Sequence, residues 1–185
     1  MTMKFGLSKY WNPVFVETGT RSGDGVAQAL KSKFGKIYSI ELNETFYREC
    51  QYRFSKEIQE GKVELLLGDS ARLLSQVLRQ VKVSATFWLD AHWSGPKTVT
   101  ARGDIDVPLA RELDLIARHN IKDHTILIDD VRLFGGGDRD GVDWSNIQEE
   151  AVISALKEIN PDYKIGYENG HVANDVLVAK IHPSI

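Results

Sequence analysis

Acidic residues stand at or just after the ends of five short, apolar, β-prone runs, and their placement could serve ligand chemistry. They are Glu17, Glu41, Asp69, Asp90 and the pair Asp129-Asp130. Helix capping explains one or two such positions. It explains five less well, because a row of like charges repels itself unless a ligand or a cation uses it.

A glycine-rich turn follows the first of these runs and opens a helical pattern. It reads Glu17-Thr18-Gly19-Thr20-Arg21-Ser22-Gly23. Glycine allows a sharp turn and close approach of a ligand to the backbone, and the free N–H groups at a helix N-terminus can hold a carboxylate. The spacing differs from the G-x-G-x-x-G of dinucleotide-binding folds, and an ordinary glycine-rich turn is the alternative interpretation.

The elements that must position these residues alternate between strand and helix. Strands are predicted at 14–16, 36–41, 63–67, 84–89, 125–128, 163–167 and 175–181. Apolar stripes at helical spacing separate the first six, and Asn169-Gly170 suits a hairpin between the last two. Continuous apolar strands joined by helices predict an α/β fold with a parallel sheet covered on both faces. The parallel strand ends then share one edge, where open α/β sheets bind ligands.

Length and composition favour one globular domain over residues 1–185. The formal net charge is −3, and 42% of residues are hydrophobic, which gives no sign of a nucleic-acid or membrane partner. No stretch approaches the roughly 20 apolar residues of a membrane span, and residues 1–13 lack a signal-peptide core. We therefore expect a cytoplasmic protein. The single cysteine, Cys50, is expected to be a buried thiol.

The motif Glu17-x-Gly19-x-x-x-Gly23 resembles that of the class I S-adenosylmethionine-dependent methyltransferases, in the catechol O-methyltransferase-like branch. The resemblance runs from Val14 to Ile181. It implies a Rossmann-like three-layer sandwich whose mostly parallel, seven-stranded sheet has the order 3-2-1-4-5-7-6, with strand 7 antiparallel. It also implies S-adenosylmethionine as cofactor, with the methionine part at the glycine turn, the ribose at Glu41 and the adenine near Asp69. The implied cofactor residues are Glu17, Gly19, Thr20, Gly23, Glu41, Leu42, Asp69, Ser70 and Asp90.

Three of the acidic residues match the metal-dependent members of that branch, which end strand 4 in Asp and strand 5 in Asp-Asp or Asp-Asn. They are Asp90, Asp129 and Asp130. The resemblance implies that they bind Mg²⁺ or another divalent cation, which would polarise a substrate hydroxyl and lower its pKa. Helix caps, or carboxylates that serve only the amino group of the cofactor, are the alternatives.

The catalytic residues expected from this resemblance are Asp90 and His92. Catechol-type enzymes place a lysine three residues after the strand-4 Asp, where this sequence has Trp93. Macrocin-type sugar O-methyltransferases place an acidic base two residues after it, where this sequence has His92. A histidine, with an unperturbed pKa of about 6.5, suits proton transfer near neutrality. The alternative is a loop histidine packed against Trp93.

Two long loops, 92–106 and 134–143, are expected to help cover the substrate, with Trp93, Lys97 and Arg102 at the pocket. Many relatives cover it with N-terminal helices, whereas only residues 1–13 precede the first strand here. That bare face also makes a homodimer an expectation.

The sequence thus predicts O-methylation of a small-molecule hydroxyl of sugar or natural-product type. Nucleic acid is not expected as a partner, because an acidic sheet edge repels phosphates. Two alternatives remain open. One is a non-catalytic cofactor-binding or interaction domain of the same fold. The other is an NAD-dependent oxidoreductase, against which the glycine spacing and the closing hairpin argue.

Overall fold

The described residues form nine strands and six α-helices, built around one central sheet. The computed structural model describes residues 3–136, 138–139 and 141–181, with the backbone alone at 138–139. The strands are β1 (Val14–Thr18), β2 (Lys36–Glu41), β3 (Val63–Leu67), β4 (Ala85–Leu89), β5 (Thr125–Ile128), β6 (Asp138–Arg139), β7 (Val142–Asp143), β8 (Lys164–Glu168) and β9 (Val176–Lys180). The helices are α1 (Asp24–Lys31), α2 (Glu44–Arg53), α3 (Ser55–Gln59), α4 (Ser70–Gln80), α5 (Leu109–Ala117) and α6 (Glu149–Ile159).

The central sheet has the order β3-β2-β1-β4-β5-β9-β8. Its strands are parallel except β9, which is antiparallel to both of its neighbours. With β8 and β9 counted as the sixth and seventh strands of the sheet, the expected α/β fold and strand order are confirmed. The small β6-β7 hairpin was not predicted and lies within the expected 134–143 loop, of which Gly137 and Asp140 fall outside the described residues.

Helical layers cover both faces of the sheet and bury its central strands on both sides. In β1, Val14 and Val16 join the apolar core under α4, α5 and α6, whereas Phe15 joins the core under α1 and α2. Trp88 of β4 also belongs to the second core. The alternation of side chains along a strand thus builds a three-layer sandwich.

Two local features refine the sequence prediction. The single helix predicted between the second and third strands is interrupted, since α2 ends before Phe54 and α3 starts at Ser55. The thiol of Cys50 is buried, as expected, and donates to the carbonyl oxygen of Arg21 over 3.3 Å. Among the described helices, none has the length and apolar character needed to cross a membrane.

Candidate functional site

A cavity of about 480 Å³ opens at the carboxyl ends of β1, β2 and β4. The predicted cofactor residues that line it are Glu17, Gly19, Thr20, Glu41, Leu42, Asp69, Ser70 and Asp90. His92, Trp93 and Asp130 line it as well. The sheet topology has therefore gathered residues that are far apart in the sequence around one crevice.

The glycine turn after β1 uses its two glycines differently. Gly19 has φ +84° and lies so near β4 that a β-carbon on it would be 2.8 Å from the carbonyl oxygen of Asp90. Gly23 has φ +82° and faces away from the cavity, where a β-carbon would lie 2.5 Å from the ring of Phe54. Gly19 thus brings bare backbone to the cavity, whereas Gly23 allows α1 to pack on α2.

Glu17 lies inside β1 rather than at its end, and its carboxyl group is buried. The Ser39 hydroxyl donates to it over 2.5 Å and also lies 2.5 Å from the Thr20 hydroxyl. Burial raises the pKa of Glu17 to about 8, although the Ser39 hydrogen bond lowers it. Burial therefore favours the protonated form of the Glu17 carboxyl group.

Glu41, at the end of β2, accepts one backbone hydrogen bond on each carboxylate oxygen. The donors are the N–H of Arg21, at 2.6 Å, and the N–H of Asn43, at 2.7 Å. A carboxylate has about four lone-pair sites, so this group is fixed in place and can still accept two hydroxyl donors from the cavity.

Asp69 caps α4, because its Oδ1 accepts from the N–H of Ala71 over 2.8 Å. Its other oxygen, Oδ2, lies where a β-carbon on Gly103 would approach to 2.9 Å. Helix capping, the plainer interpretation, therefore accounts for one oxygen of Asp69. Ser70, which follows it, is buried in the first turn of α4.

The segment from Trp93 to Asp106, here called the strap, covers the cavity on the side where Asp69 lies. Its ends are joined by a hydrogen bond of 2.8 Å from the N–H of Trp93 to the carbonyl oxygen of Asp106. Beyond them, Asn43 donates to the carbonyl oxygen of Val99 over 2.7 Å, and Arg72 of α4 pairs with Asp104. The strap thus connects the end of β4 to the starts of α2 and α4.

Arg102 and Lys97 were expected to line or close the pocket, and neither is among its lining residues. The Arg102 guanidinium instead lies 4.4 Å from the centre of the Trp93 ring and pairs with Asp106. Trp93 lines the cavity as expected, and Arg102 serves to brace the strap around it.

Asp90, His92 and Asp130 come together beyond the glycine turn. His92 Nδ1 lies 3.3 Å from Asp130 Oδ2 and 4.0 Å from Asp90 Oδ1. The ligand atoms of these three residues all lie within 4.8 Å of one another. His92 thus lies near both Asp90 and Asp130. Asp129 lies with Asp130 and Asp175 in a buried group.

The protonation of this cluster is strongly perturbed. Burial, together with the charges of Asp129 and Asp130, raises the pKa of Asp90 well above its usual range. Burial and the charge of Asp130 raise the pKa of Asp129 to about 7. Burial lowers the pKa of His92, although Asp130 opposes that shift. Burial and mutual repulsion therefore disfavour the charged forms of Asp90, Asp129 and His92.

Sequence reasoning missed four residues of this region. Arg132 pairs with both Asp130 and Asp175, and Met3 and His171 line the cavity. Arg132 follows the Asp129-Asp130 pair directly, and Asp175 opens the last predicted strand, so a signal existed for these two. Met3 and His171 carry no such signal, because only tertiary packing brings them to the cavity.

No protein-family model matches this sequence, and no curated protein matches it. Solved structures do resemble it. The O-methyltransferase from Bacillus cereus, in complex with SAH, is 12% identical with a TM-score of 0.59, over 94% of this chain and 76% of that chain. TomG from Streptomyces achromogenes, an O-methyltransferase involved in tomaymycin synthesis and solved with SAM, is 16% identical with a TM-score of 0.56, over 94% and 75%.

A candidate rRNA methylase from Clostridium thermocellum is 12% identical with a TM-score of 0.60, over 97% of this chain and 99% of that chain. At such identities the likeness shows the fold alone. This chain has the fold of the class I S-adenosylmethionine-dependent methyltransferases.

Proposed function

We propose that this protein is an S-adenosylmethionine-dependent methyltransferase that methylates a hydroxyl oxygen of a small molecule. One observation carries the proposal: a single crevice joins the Gly19 turn and Glu41 on one side to Asp90, His92 and Asp130 on the other. The first side suits the cofactor, and the second suits the activation of a hydroxyl group.

The cofactor side offers a partner for each part of S-adenosylmethionine. Glu41 would accept both ribose hydroxyls on its remaining lone pairs. The backbone around Gly19 would hold the amino-acid part, and Asp69 and Ser70 would lie beside the adenine under the strap. At about 480 Å³, the cavity is within the usual range for pockets that bury a ligand of this size.

The other side supplies a proton acceptor. A lone pair of the acceptor oxygen would form a bond to the methyl carbon while the carbon–sulfur bond breaks and its electron pair stays on sulfur. The hydroxyl proton would pass to His92, which is neutral because burial lowers its pKa. Asp130, 3.3 Å from His92 Nδ1, would stabilise the imidazolium that forms. Alignment of the acceptor oxygen with the methyl group would supply much of the rate.

The residues present fit the divalent cation that the resemblance implies. Asp90 and Asp130 offer oxygens within 4.8 Å of each other. Asp129 Oδ2 is buried and has no hydrogen-bond partner among the described residues. Asp90 and Asp130 would hold the ion, and Asp129 would add a negative charge beside Asp130. When bound, the ion would polarise the acceptor hydroxyl. Transfer without a metal, with His92 alone as base, is the alternative.

A small-molecule acceptor is favoured over RNA, in spite of the likeness to the Clostridium thermocellum protein. The acceptor side is built around Asp90 and Asp130, and the chain has a net charge of −3, both of which repel a phosphate backbone. We propose no membrane partner, and association of two copies stays a prediction.

Ligand-induced thermal shifts test the cofactor part of the proposal. A saturating ligand that binds only the folded state raises the melting temperature of the protein. SAM and SAH should therefore stabilise this protein, and NAD should not. Stabilisation by NAD alone would instead support an oxidoreductase.

The Asp129→Ala variant and EDTA test the metal part. With methyl-labelled SAM and a panel of sugars and phenols, transfer should be lost after EDTA and reduced in the variant, which removes the negative charge beside Asp130, while calorimetry shows SAH binding unchanged. Full transfer under both conditions would support the metal-independent alternative.

A further inference from the structure

Two histidines lie in contact at the edge of the sheet opposite to the cavity, where β4 and β5 begin. His119 follows α5, and His124 directly precedes β5. The Nδ1 atom of His119 lies 2.9 Å from the Nε2 atom of His124. His124 is fully buried, and the centre of the Phe87 ring lies 5.0 Å from the centre of its imidazole. Neither histidine lines the cavity, so this histidine pair is separate from the proposed site.

Each end of the histidine pair is attached to a backbone group. The N–H of Ala85, the first residue of β4, donates to Nδ1 of His124 over 3.1 Å. At the other end, Nε2 of His119 lies 3.2 Å from the carbonyl oxygen of Val81, the residue that follows α4. The pair therefore connects the end of α4 and the residues after α5 to the start of β4.

The two backbone groups determine where both imidazole protons lie, because a backbone N–H can only donate and a carbonyl oxygen can only accept. Since Ala85 donates to Nδ1 of His124, the proton of the neutral ring lies on Nε2. That Nε2–H donates to Nδ1 of His119, whose own proton lies on Nε2 and donates to Val81. The chain of hydrogen bonds uses every ring nitrogen, so neither ring can take up a further proton without losing one of them.

The surroundings also oppose a positive charge on either ring. Burial lowers the pKa of His124 from 6.5 to about 4, and His119 and Lys122 lower it further, whereas Asp123 raises it. Burial lowers the pKa of His119 as well, and the charges of Lys122 and Lys82 act in the same direction, although two backbone hydrogen bonds oppose them. The aromatic ring that β4 packs against His124 carries no charge.

We propose that the histidine pair is a proton-sensitive connection, which ties α4 and α5 to the start of β4 while both rings are neutral and breaks when either ring takes up a proton. A second proton on His119 would place two N–H groups face to face between the rings. A second proton on His124 would face the N–H of Ala85. This proposal does not rest on the proposed function, because the pair lies at the opposite edge of the sheet and involves no ligand.

The connection should make the protein less stable in acid. An unfolded histidine titrates at about 6.5 and folded His124 at about 4, so the stabilisation is present above pH 6.5 and is lost as the pH falls from there toward 4. In urea unfolding, the unfolding constant of the wild type should rise about 30-fold relative to that of His124→Asn between about pH 7.5 and about pH 5. Asparagine keeps an acceptor and a donor but does not titrate.

The comparison with a variant is needed because other buried groups also titrate. The pKa values of Glu17 and Glu112 are raised by burial, so these two acids change the stability in the opposite direction. They are present in both the wild type and the variant, and their contribution cancels in the ratio of the two unfolding constants.

The proton positions can be read by two-bond proton–nitrogen NMR at about pH 7.5 on protein labelled with ¹⁵N-histidine. Both rings should show the Nε2–H pattern. Their signals are assigned by their loss in His124→Asn and in His119→Gln. An Nδ1–H pattern on either ring would overturn the proposal.

His171→Gln is the matched control for the unfolding measurements, because His171 is exposed between β8 and β9. Its unfolding constant should keep the same ratio to that of the wild type at every pH. If His124→Asn fails to fold, His119→Gln, at a partly buried position, carries the test and should also lose less stability in acid than the wild type. A ratio that does not change with pH in any folded variant of the pair would likewise contradict the proposal.

Discussion

Gly19 packs directly against Asp90, since a β-carbon on Gly19 would lie only 2.8 Å from the Asp90 carbonyl oxygen. The turn after β1 and the end of β4 therefore touch at backbone level. Because Gly19 has no side chain, its peptide groups are directly accessible from the cavity that it lines.

Gly19→Ala should destabilise the protein and weaken SAH binding. Gly19 has φ +84°, so the new methyl group adds a contact with Asp90 to the strain of a left-handed alanine, and the two together should cost about 2–4 kcal/mol. Gly61→Ala is the control, because Gly61 has φ +71° with no atom within 4 Å of its β-carbon position. Urea unfolding of both variants separates strain from contact, and equal losses would contradict the close approach to Asp90.

Glu41→Gln should weaken SAH binding by about 10- to 100-fold, because a hydrogen bond to a charged group contributes roughly 1.5–3 kcal/mol. Isothermal titration calorimetry gives the affinity. Glu64→Gln on the adjacent strand β3 is the control, since Glu64 pairs with Lys36 at the surface over 3.3 Å. An affinity unchanged by Glu41→Gln would remove Glu41 from the cofactor site.

Glu112→Gln should make the stability of the protein less dependent on pH. Glu112 lies in α5 and is buried, and burial raises its pKa from 4.5 to about 7, although the Ser70 and Thr18 hydroxyls lower it. Since the folded-state pKa is above the unfolded one, the contribution of Glu112 is fully present below pH 4.5 and is lost as the pH rises through about 7.

The Gln variant, which mimics the protonated acid, should therefore match wild type at low pH. At about pH 8 it should be more stable by up to about 3 kcal/mol in urea unfolding. Glu158→Gln, at an exposed position of α6, serves as the control and should show no such gain. A constant difference between Glu112→Gln and wild type across this range would show that Glu112 titrates alike in both states.

Arg72→Ala should speed the release of SAH without lowering the melting temperature. Arg72 pairs with Asp104 in the strap, but both side chains are exposed, so the pair contributes roughly 0.2–1 kcal/mol. If strap opening limits release, the dissociation rate should rise by about two- to five-fold in stopped-flow fluorescence. Arg79→Ala, at the exposed end of the same helix, is the control. Identical rates in the two variants would mean that the strap does not gate the cofactor.

The edge at which the site forms could be predicted from the sequence because the carboxyl ends of parallel strands share one edge of a sheet, whereas the strand order came from the family resemblance. Apolar strands joined by helices form a parallel sheet, and this places the ends of β2 and β4, with Glu41 and Asp90, at one edge. The hairpin signal Asn169-Gly170 likewise predicted the antiparallel closing pair. Local patterns were sufficient for these features, because each depends on neighbours along the chain.

The grouping of side chains at that edge could not be predicted in the same way. The sequence grouped Asp90 with Asp129 and Asp130, whereas the structure also brings His92 to Asp90 and Asp130, and Asp175 to Asp129 and Asp130. The two glycines of the turn also looked equivalent, and only packing against Phe54 distinguishes Gly23 from Gly19. Such choices depend on a backbone angle or a distant contact that no periodicity in the sequence records.

The direction of β9 has a consequence for how the protein is made. Because β9 runs against β5, its beginning lies at the edge of the sheet where the cavity opens, and Asp175 there contacts Arg132, which lines the cavity. The strand ends that line the cofactor side, from β1 to β4, leave the ribosome long before that residue does. During synthesis the part of the cavity built by β1 to β4 can therefore assemble first, and the contact of Asp175 with Arg132 forms only when the closing hairpin has been translated.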